Sequence, residues 1–239
     1  MRTIEVCFTP ALYGYKVTKE NYVVVVVDIL RATTAICAAF DNEVEAIIPV
    51  ADIEMARKYK EQGYLVTAER DGLKLDFADF ANSVLSFKTP DVKGKVIIYC
   101  TTNGTQAIEM AVDADKIVLG AFPILSALTR WLKKVDMNVV ILCAGWKNRF
   151  NLEDSVFAGA LSERLLESGA FETECDSTNA SLNLWSSAKI NLPGYIAKAE
   201  HSERLRRLGL KDEIPYYLNL DVSNIIPVCI EGKIRGERA

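Results

Sequence analysis

Five consecutive valines, Val23 to Val27, follow Tyr22. Side chains branched at Cβ are stiff and fit a pleated strand better than a helix. A run that is apolar at every position is buried on both faces, as strands of parallel sheets are. Helices must then cover the sheet on each side, so this one hexapeptide points to an α/β architecture. Val44–Val50, Tyr64–Ala68, Val96–Cys100, Lys116–Leu119 and Val139–Cys143 read as further strands. Between them the apolar spacing predicts helices over Thr33–Phe40, Asp52–Gln62, Gln106–Val112, Ile124–Lys134 and Ser155–Ser168. The alternation describes a layered α/β sandwich on a largely parallel or mixed central sheet.

The last third changes character. Ser177–Lys198 reads as helix with loops, Glu200–Leu208 as a helix stopped by Gly209, and Ile225–Ile230 as a late strand closed by a Glu231-Gly232-Lys233 turn. No stretch has linker composition, so residues 1–239 read as a single domain.

Composition narrows the function classes. Half of the 239 residues are hydrophobic, a quarter are charged, and the net charge is -4. Lys and Arg are scattered, with one small cluster at Arg204, Arg206 and Arg207, so nucleic acid is not expected as a partner. None of the six cysteines forms a CxxC pair, which suits buried thiols in a reducing compartment. Met1–Thr9 has no apolar core of a signal peptide, and no apolar run is long enough for a bilayer, so a cytoplasmic protein off the membrane is expected.

Ligands of open α/β sheets sit beyond the carboxyl ends of the strands. Three such ends are unusually polar here. After the valines comes Asp28-Ile29-Leu30-Arg31-Ala32-Thr33-Thr34. An Asp turn with a Thr helix cap is the plain reading; a metal ligand and a phosphate clamp is the functional one. After Val96–Cys100 comes Thr101-Thr102-Asn103-Gly104-Thr105, hydroxyls and a glycine before a helix. It lacks the Lys and second Gly of a P-loop, yet could face an anion. At the end of Val139–Cys143 comes Cys143-Ala144-Gly145, then Arg149, Asn151, Glu153 and Asp154. Asn151 fits a helix N-cap with Asp154 reaching back as a capping box, which leaves Glu153 and Arg149 unexplained.

Weaker signals lie elsewhere. Glu69-Arg70-Asp71-Gly72 is a charged turn after a short strand, and the Asn82 amide either faces a ligand or caps a turn. Cys143 and Arg149 have the Cys-x5-Arg spacing of cysteine phosphatases, though a buried strand-end thiol is the simpler reading. His201, the one histidine, reads as a solvated or helix-packing residue. With carboxylates as the available ligands, Mg²⁺ is favoured over Zn²⁺.

Taken in order, Val26–Thr34, Glu69-Arg70, Thr101–Thr105, Cys143–Gly145 and Leu152-Glu153-Asp154 resemble the 2-phosphosulfolactate phosphatase family over nearly the whole chain. Leu205–Gly209, Asp212-Glu213-Ile214 and Ile226-Pro227 extend the likeness. The family usually carries Gly-Asn-Ser-Pro at Ala81-Asn82-Ser83-Val84 and Gly-Arg-Phe at Asn148-Arg149-Phe150. Trp146 stands where small or polar residues are usual. The resemblance implies a three-layer α/β/α fold distinct from the haloacid-dehalogenase phosphatases. It also implies an Mg²⁺-dependent phosphatase converting (2R)-2-phospho-3-sulfolactate to sulfolactate and phosphate in coenzyme M biosynthesis.

On that reading Asp28, with Glu153 or Asp154, holds Mg²⁺. Arg31 and the Thr101–Thr105 loop hold the phosphate, and Arg70 or Arg149 pairs with a second anionic group. The nucleophile is water, Asp28 or Cys143. The partner is a small anionic phosphoester, and a homo-oligomer is compatible with this. A haloacid-dehalogenase enzyme is disfavoured because Leu30 replaces the second Asp of its Asp-x-Asp motif. A metabolite sensor that binds a phosphoester without turnover is the non-enzymatic alternative.

Overall fold

The computed structural model describes residues 1–16 and 21–239. Eleven strands form one sheet: β1 (Arg2–Cys7), β2 (Tyr22–Val27), β3 (Ala46–Pro49), β4 (Leu65–Arg70), β5 (Leu73–Lys74), β6 (Val96–Cys100), β7 (Lys116–Gly120), β8 (Asn138–Cys143), β9 (Phe171–Glu172), β10 (Ile225–Ile230) and β11 (Lys233–Arg238). The helices are α1 (Tyr13–Lys16), α2 (Ala32–Asp41), α3 (Ile53–Glu61), α4 (Gly104–Met110), α5 (Leu125–Val135), α6 (Leu152–Glu167), α7 (Asp176–Ala188), α8 (Leu192–Ile196), α9 (Glu200–Arg207) and α10 (Ile214–Tyr217).

The sheet order is β5-β4-β6-β3-β11-β10-β7-β2-β8-β1-β9. Strands β7, β2, β8, β1 and β9 are mutually parallel. So are β4, β6 and β3. The β10–β11 hairpin lies between these blocks and pairs antiparallel with β7 on one side and β3 on the other. The two blocks therefore run in opposite senses. Five strand-to-strand steps separate β6 from β2, and a twist of about 20–25° per step accumulates to roughly 100–125°. The carboxyl ends of β6 and β2 do meet, with Gly104 after β6 lying directly against Asp28 after β2, although the blocks oppose one another in the ladder.

The valine run behaves as its composition dictates. Val23, Val25 and Val27 pack on one face with Ile4, Ile141 and residues of α5 and α6, among them Leu128 and Leu161. Val24 and Val26 face the other way, toward Leu119, Leu142 and the small residues Ala35, Ala39 and Ala107 of α2 and α4. All five are fully buried, each contributing roughly 1.5–3 kcal/mol. Helix α3 covers a third cluster with Val66, Ala68 and Ile98. Helices thus lie on both sides of a mixed, mostly parallel sheet.

Strand β11 extends past the turn at Glu231–Lys233, and β1 pairs with β8; neither was expected. Arg2–Cys7 mixes partly buried and buried positions, and its pattern is faint beside the valine run. Helix α6 starts at Leu152, three residues ahead of the expected Ser155, which puts Glu153 and Asp154 in its first turn. Among the described residues no helix is long and apolar enough to cross a membrane. All six cysteines are free.

Candidate active site

Strands β2 and β8 end in register, Val27 beside Cys143. The Ala144 N–H continues the ladder to the Val27 carbonyl at 2.7 Å. Asp28 and Gly145 consequently emerge side by side. Asp154, one turn into α6, spans the two exits: Oδ1 accepts the Ile29 N–H at 2.8 Å and Oδ2 accepts the Gly145 N–H at 3.2 Å. The capping box expected for Asn151 and Asp154 is therefore not formed. Asn151 occupies the N-cap position without a side-chain bond to the helix, because Asp154 is drawn to two buried N–H groups that lie outside α6. Gly145 is required here: its φ is +61°, and a Cβ would run into the Arg149 carbonyl.

Asp28 is buried at the head of this cluster. Its Oδ1 accepts the Ala32 N–H at 3.3 Å, and its N–H donates to Thr33 Oγ1 at 3.1 Å. Thr33 and Thr34 donate in turn to the Asp28 and Ile29 carbonyls at 2.9 and 3.1 Å, so both threonines fasten the start of α2. The second parallel block arrives through Gly104. A Cβ built there would lie 2.9 Å from Asp28 Oδ2 and 2.7 Å from Ala32 Cβ, so only glycine lets the β6–α4 loop approach this closely.

That loop is braced internally. Thr101 and Thr105 bond each other's backbone at 3.0–3.3 Å. Thr102 N–H donates to Glu69 Oε1 at 2.6 Å and its hydroxyl accepts the Asp71 N–H. Glu69 Oε2 accepts the Gly72 N–H at 2.7 Å. Asn103 Oδ1 accepts the Lys147 N–H at 3.0 Å, tying the loop to the β8–α6 connection. Arg31, buried beside Asp28, donates from Nη2 to the Gly72 carbonyl at 2.8 Å.

Glu153 differs from every other acid in the cluster. It is fully buried, yet neither carboxylate oxygen has a hydrogen-bond partner. Burial, and then the charge of nearby Asp28, push its carboxyl up to about 7. Burial likewise raises Asp28 to about 6, with a further push from Glu69. Asp154 is raised well above the carboxylate range by burial and by its two acidic neighbours. The three acids thus crowd one another in a dry environment.

His201 and Arg204 on α9 complete the wall, and the sequence reading missed both. The His201 ring is buried, with Nδ1 3.5 Å from Glu153 Oε1. Burial, and next the Arg204 and Arg31 guanidiniums, depress His201 to about 3. The imidazole is therefore neutral, and its contact with Glu153 is not an ion pair. It packs rather than facing solvent, which settles the two readings left open for it. The overlooked signal was spacing: His201, Arg204 and Leu205 share a helix face, and the buried Leu205 marks that face as inward.

The remaining candidates are placed as follows. Arg70 donates to the Glu69 and Ala51 carbonyls, each at 2.8 Å. Arg149 is exposed on a tight turn whose backbone pairs with Trp146. Asn82 Oδ1 accepts the Tyr99 hydroxyl. Cys143 is fully buried, and desolvation followed by the Asp154 charge holds its thiol far up.

The donor set fits a hard cation. Two crowded carboxylates, one with both oxygens unpartnered, would be relieved by a positive charge between them. Mg²⁺ needs no more, because it keeps several waters and takes one or two carboxylates plus phosphate oxygens. Among the described residues no three His, Cys, Asp or Glu side chains form a complete cage.

Buried acids opposed by a buried guanidinium suit phosphoryl transfer, in which catalysis is largely charge and position, and the class of protein is that of the phosphoric monoester hydrolases. The family model described as 2-phosphosulpholactate phosphatase matches residues 7–232, and the chain belongs to that family. It is 35% identical to a probable 2-phosphosulfolactate phosphatase of Caldanaerobacter subterraneus subsp. tengcongensis, over 89% of both chains. A protein of the same description from Clostridium novyi is 33% identical over 87% of this chain and 89% of its own. Another, from Pseudothermotoga lettingae, is 32% identical over 96% and 97%.

Proposed function

We propose that this chain is a Mg²⁺-dependent phosphatase that hydrolyses (2R)-2-phospho-3-sulfolactate to 3-sulfolactate and phosphate, the step of coenzyme M biosynthesis that the family resemblance implies. The observation that carries the reading is the unpartnered, fully buried Glu153 carboxylate, within electrostatic reach of Asp28. An unpaired buried carboxylate is costly, and a cation arriving with a phosphate dianion relieves that cost.

Asp28 and Glu153 would hold Mg²⁺, which when bound supplies Lewis-acid charge to the phosphoryl group and acidifies water. Asp154 keeps the exits of β2 and β8 together and so fixes where Asp28 points. Arg31 offers the buried guanidinium for phosphate oxygens, held in place through Gly72. The Thr101–Thr105 loop, with the Thr101 and Thr105 hydroxyls engaged with its own backbone and the Thr102 hydroxyl accepting the Asp71 N–H, closes the opposite side through Gly104. Burial keeps Cys143 a neutral thiol, and Asp28 is hemmed in by Ala32 and Gly104. Water is therefore the nucleophile we favour. Six free thiols support a cytoplasmic setting, with neither nucleic acid nor membrane involved.

The test is phosphate release from (2R)-2-phospho-3-sulfolactate with Mg²⁺ and with EDTA. Release that needs Mg²⁺ and disappears in a folded Asp28→Asn variant is expected. Near-normal turnover by that variant removes Asp28 from the mechanism, and tight binding without release would favour the sensor alternative.

A further inference from the structure

Lys16, the last residue of α1, and Cys175, just ahead of α7, are 159 residues apart in the chain and meet in space, with Nζ 3.2 Å from Sγ. Both side chains are partly exposed. Both line a cavity of about 610 Å³ beside β1, together with Ile4, Glu5, Glu172 and Glu174. Three carboxylates thus share the cavity with Lys16, yet among the described residues none forms an ion pair with it. Glu172 pairs instead with the N-terminal ammonium, at 3.8 Å. An ammonium that passes over carboxylates for a sulfur marks that sulfur as a thiolate. Cys175 also occupies the N-cap position of α7, where backbone N–H groups favour negative charge. Desolvation opposes its ionisation, but hydrogen bonding from Thr178 and Lys16 prevails and brings it down to about 7. Burial raises each of the other five thiols.

A thiolate within reach of solvent is the form that peroxides oxidise. What sets Cys175 apart is a nitrogen nucleophile already seated against the sulfur. We propose that Lys16 and Cys175 form an oxidative cross-linking site, in which hydrogen peroxide joins the two side chains through a sulfenamide S–N bond. The inference does not depend on the phosphatase reading. In the first step the thiolate attacks peroxide. An S–O bond forms, the O–O bond breaks, sulfur is oxidised to the sulfenic acid, and the other peroxide oxygen is reduced to hydroxide. That hydroxide takes a proton from the Lys16 ammonium and leaves as water. The neutral sulfenic acid no longer favours the charged form of Lys16, so the amine is freed at the stage that needs it. In the second step the amine attacks sulfur. An S–N bond forms, the S–O bond breaks, and the departing oxygen carries off an amine proton as a second water. Cys7 is a poorer partner for the oxidised sulfur. It is buried, burial raises its thiol, and its Sγ–H already donates to the Thr9 carbonyl at 3.1 Å. The S–N bond is reopened by thiols, whereas an uncapped sulfenic acid runs on to the irreversible sulfinic acid.

The experiment treats the full-length protein with a small excess of hydrogen peroxide near neutral pH and maps its peptides by mass spectrometry. The expected product is the peptide carrying Lys16 joined to the peptide carrying Cys175, lighter than their sum by a pair of hydrogens, and dithiothreitol should restore both. Lys16→Arg keeps the positive charge but offers a weak nucleophile. Its Cys175 should pass on to sulfinic acid, with at least about a 10-fold loss of thiol-reducible product. Cys7→Ser should leave the cross-link in place, and it decides the matter beside the wild type if Lys16→Arg does not fold. Sulfinic acid at Cys175 of the wild type without the cross-link overturns the proposal. So does a Cys7–Cys175 disulfide as the main product, a Cys175 that peroxide leaves unmodified, or an undiminished reducible product in Lys16→Arg.

Discussion

Glu153 and Asp154 are neighbours in the first turn of α6, equally buried, and opposite in circumstance: Asp154 accepts a backbone N–H on each oxygen, and Glu153 accepts none. Their substitutions should therefore part ways. Asp154→Asn leaves one amide hydrogen facing a buried N–H, which costs about 1–3 kcal/mol. Glu153→Gln removes a charge that the fold disfavours, so it should preserve or raise stability while lowering turnover by about 100-fold or more. Urea unfolding and phosphate release on both variants check this. Equal effects on stability would remove the distinction.

The same crowding makes the metal-free protein sensitive to pH. Glu153 moves from 4.5 to about 7 on folding. A carboxyl raised in the folded state binds its proton more tightly there, so its contribution is complete below pH 4.5 and is lost as pH rises to about 7. Asp28 acts in the same direction, from 3.8 to about 6. The melting temperature in EDTA should fall across this window, and millimolar Mg²⁺ should reverse the fall at its upper end. Glu153→Gln should flatten the profile. A wild-type profile that is flat in EDTA would contradict it.

Gly104→Ala places a methyl against Asp28 Oδ2 and Ala32 Cβ. Neither neighbour is the loose end of a flexible side chain, so the β6–α4 loop must retreat. A loss of about 1–3 kcal/mol is expected, with turnover falling more than the fraction unfolded accounts for. Turnover that tracks only the folded fraction would show that the approach of this loop to Asp28 is unimportant.

Among the cysteines, Cys175 should alkylate first. It sits ahead of α7 with Lys16 Nζ 3.2 Å from its sulfur. Hydrogen bonds from Thr178, together with that ammonium, outweigh desolvation and bring it down to about 7. Cys143 is raised instead and wholly enclosed. Brief iodoacetamide treatment near pH 7.5, read by peptide mass spectrometry, should label Cys175 well before Cys143, and Cys143→Ser should keep activity in excess Mg²⁺. Early labelling of Cys143 would reopen its candidacy as nucleophile.

The strands at the centre of the sheet were legible because burial on both faces writes itself into composition: Val96–Cys100 and Ile225–Ile230 match to the residue. Strands with one wet face, such as β1 and β11, leave a weaker trace. The acids, Arg31 and the Thr101–Thr105 loop could be found because each follows a strand. His201 and Arg204 were harder to find, because α9 joins the site only through tertiary packing and is otherwise as polar as a solvated helix; only their spacing with Leu205 marks an inward face. Nor could a sequence show that Arg70 bonds backbone, or that Asp154 ties two strands while its neighbour stands free.

The β10–β11 hairpin has a consequence for how this protein comes into being. Among the described residues it is the sole ladder connection between the parallel blocks that carry Asp28 and Gly104. A polypeptide emerging from the ribosome has both blocks in hand long before residue 225, yet nothing to clasp them edge to edge. Edge-to-edge pairing of the blocks thus waits on synthesis through about residue 238, and pairings so distant in the chain form slowly. Until then each half exposes an open strand edge, the kind of surface a chaperone would shield.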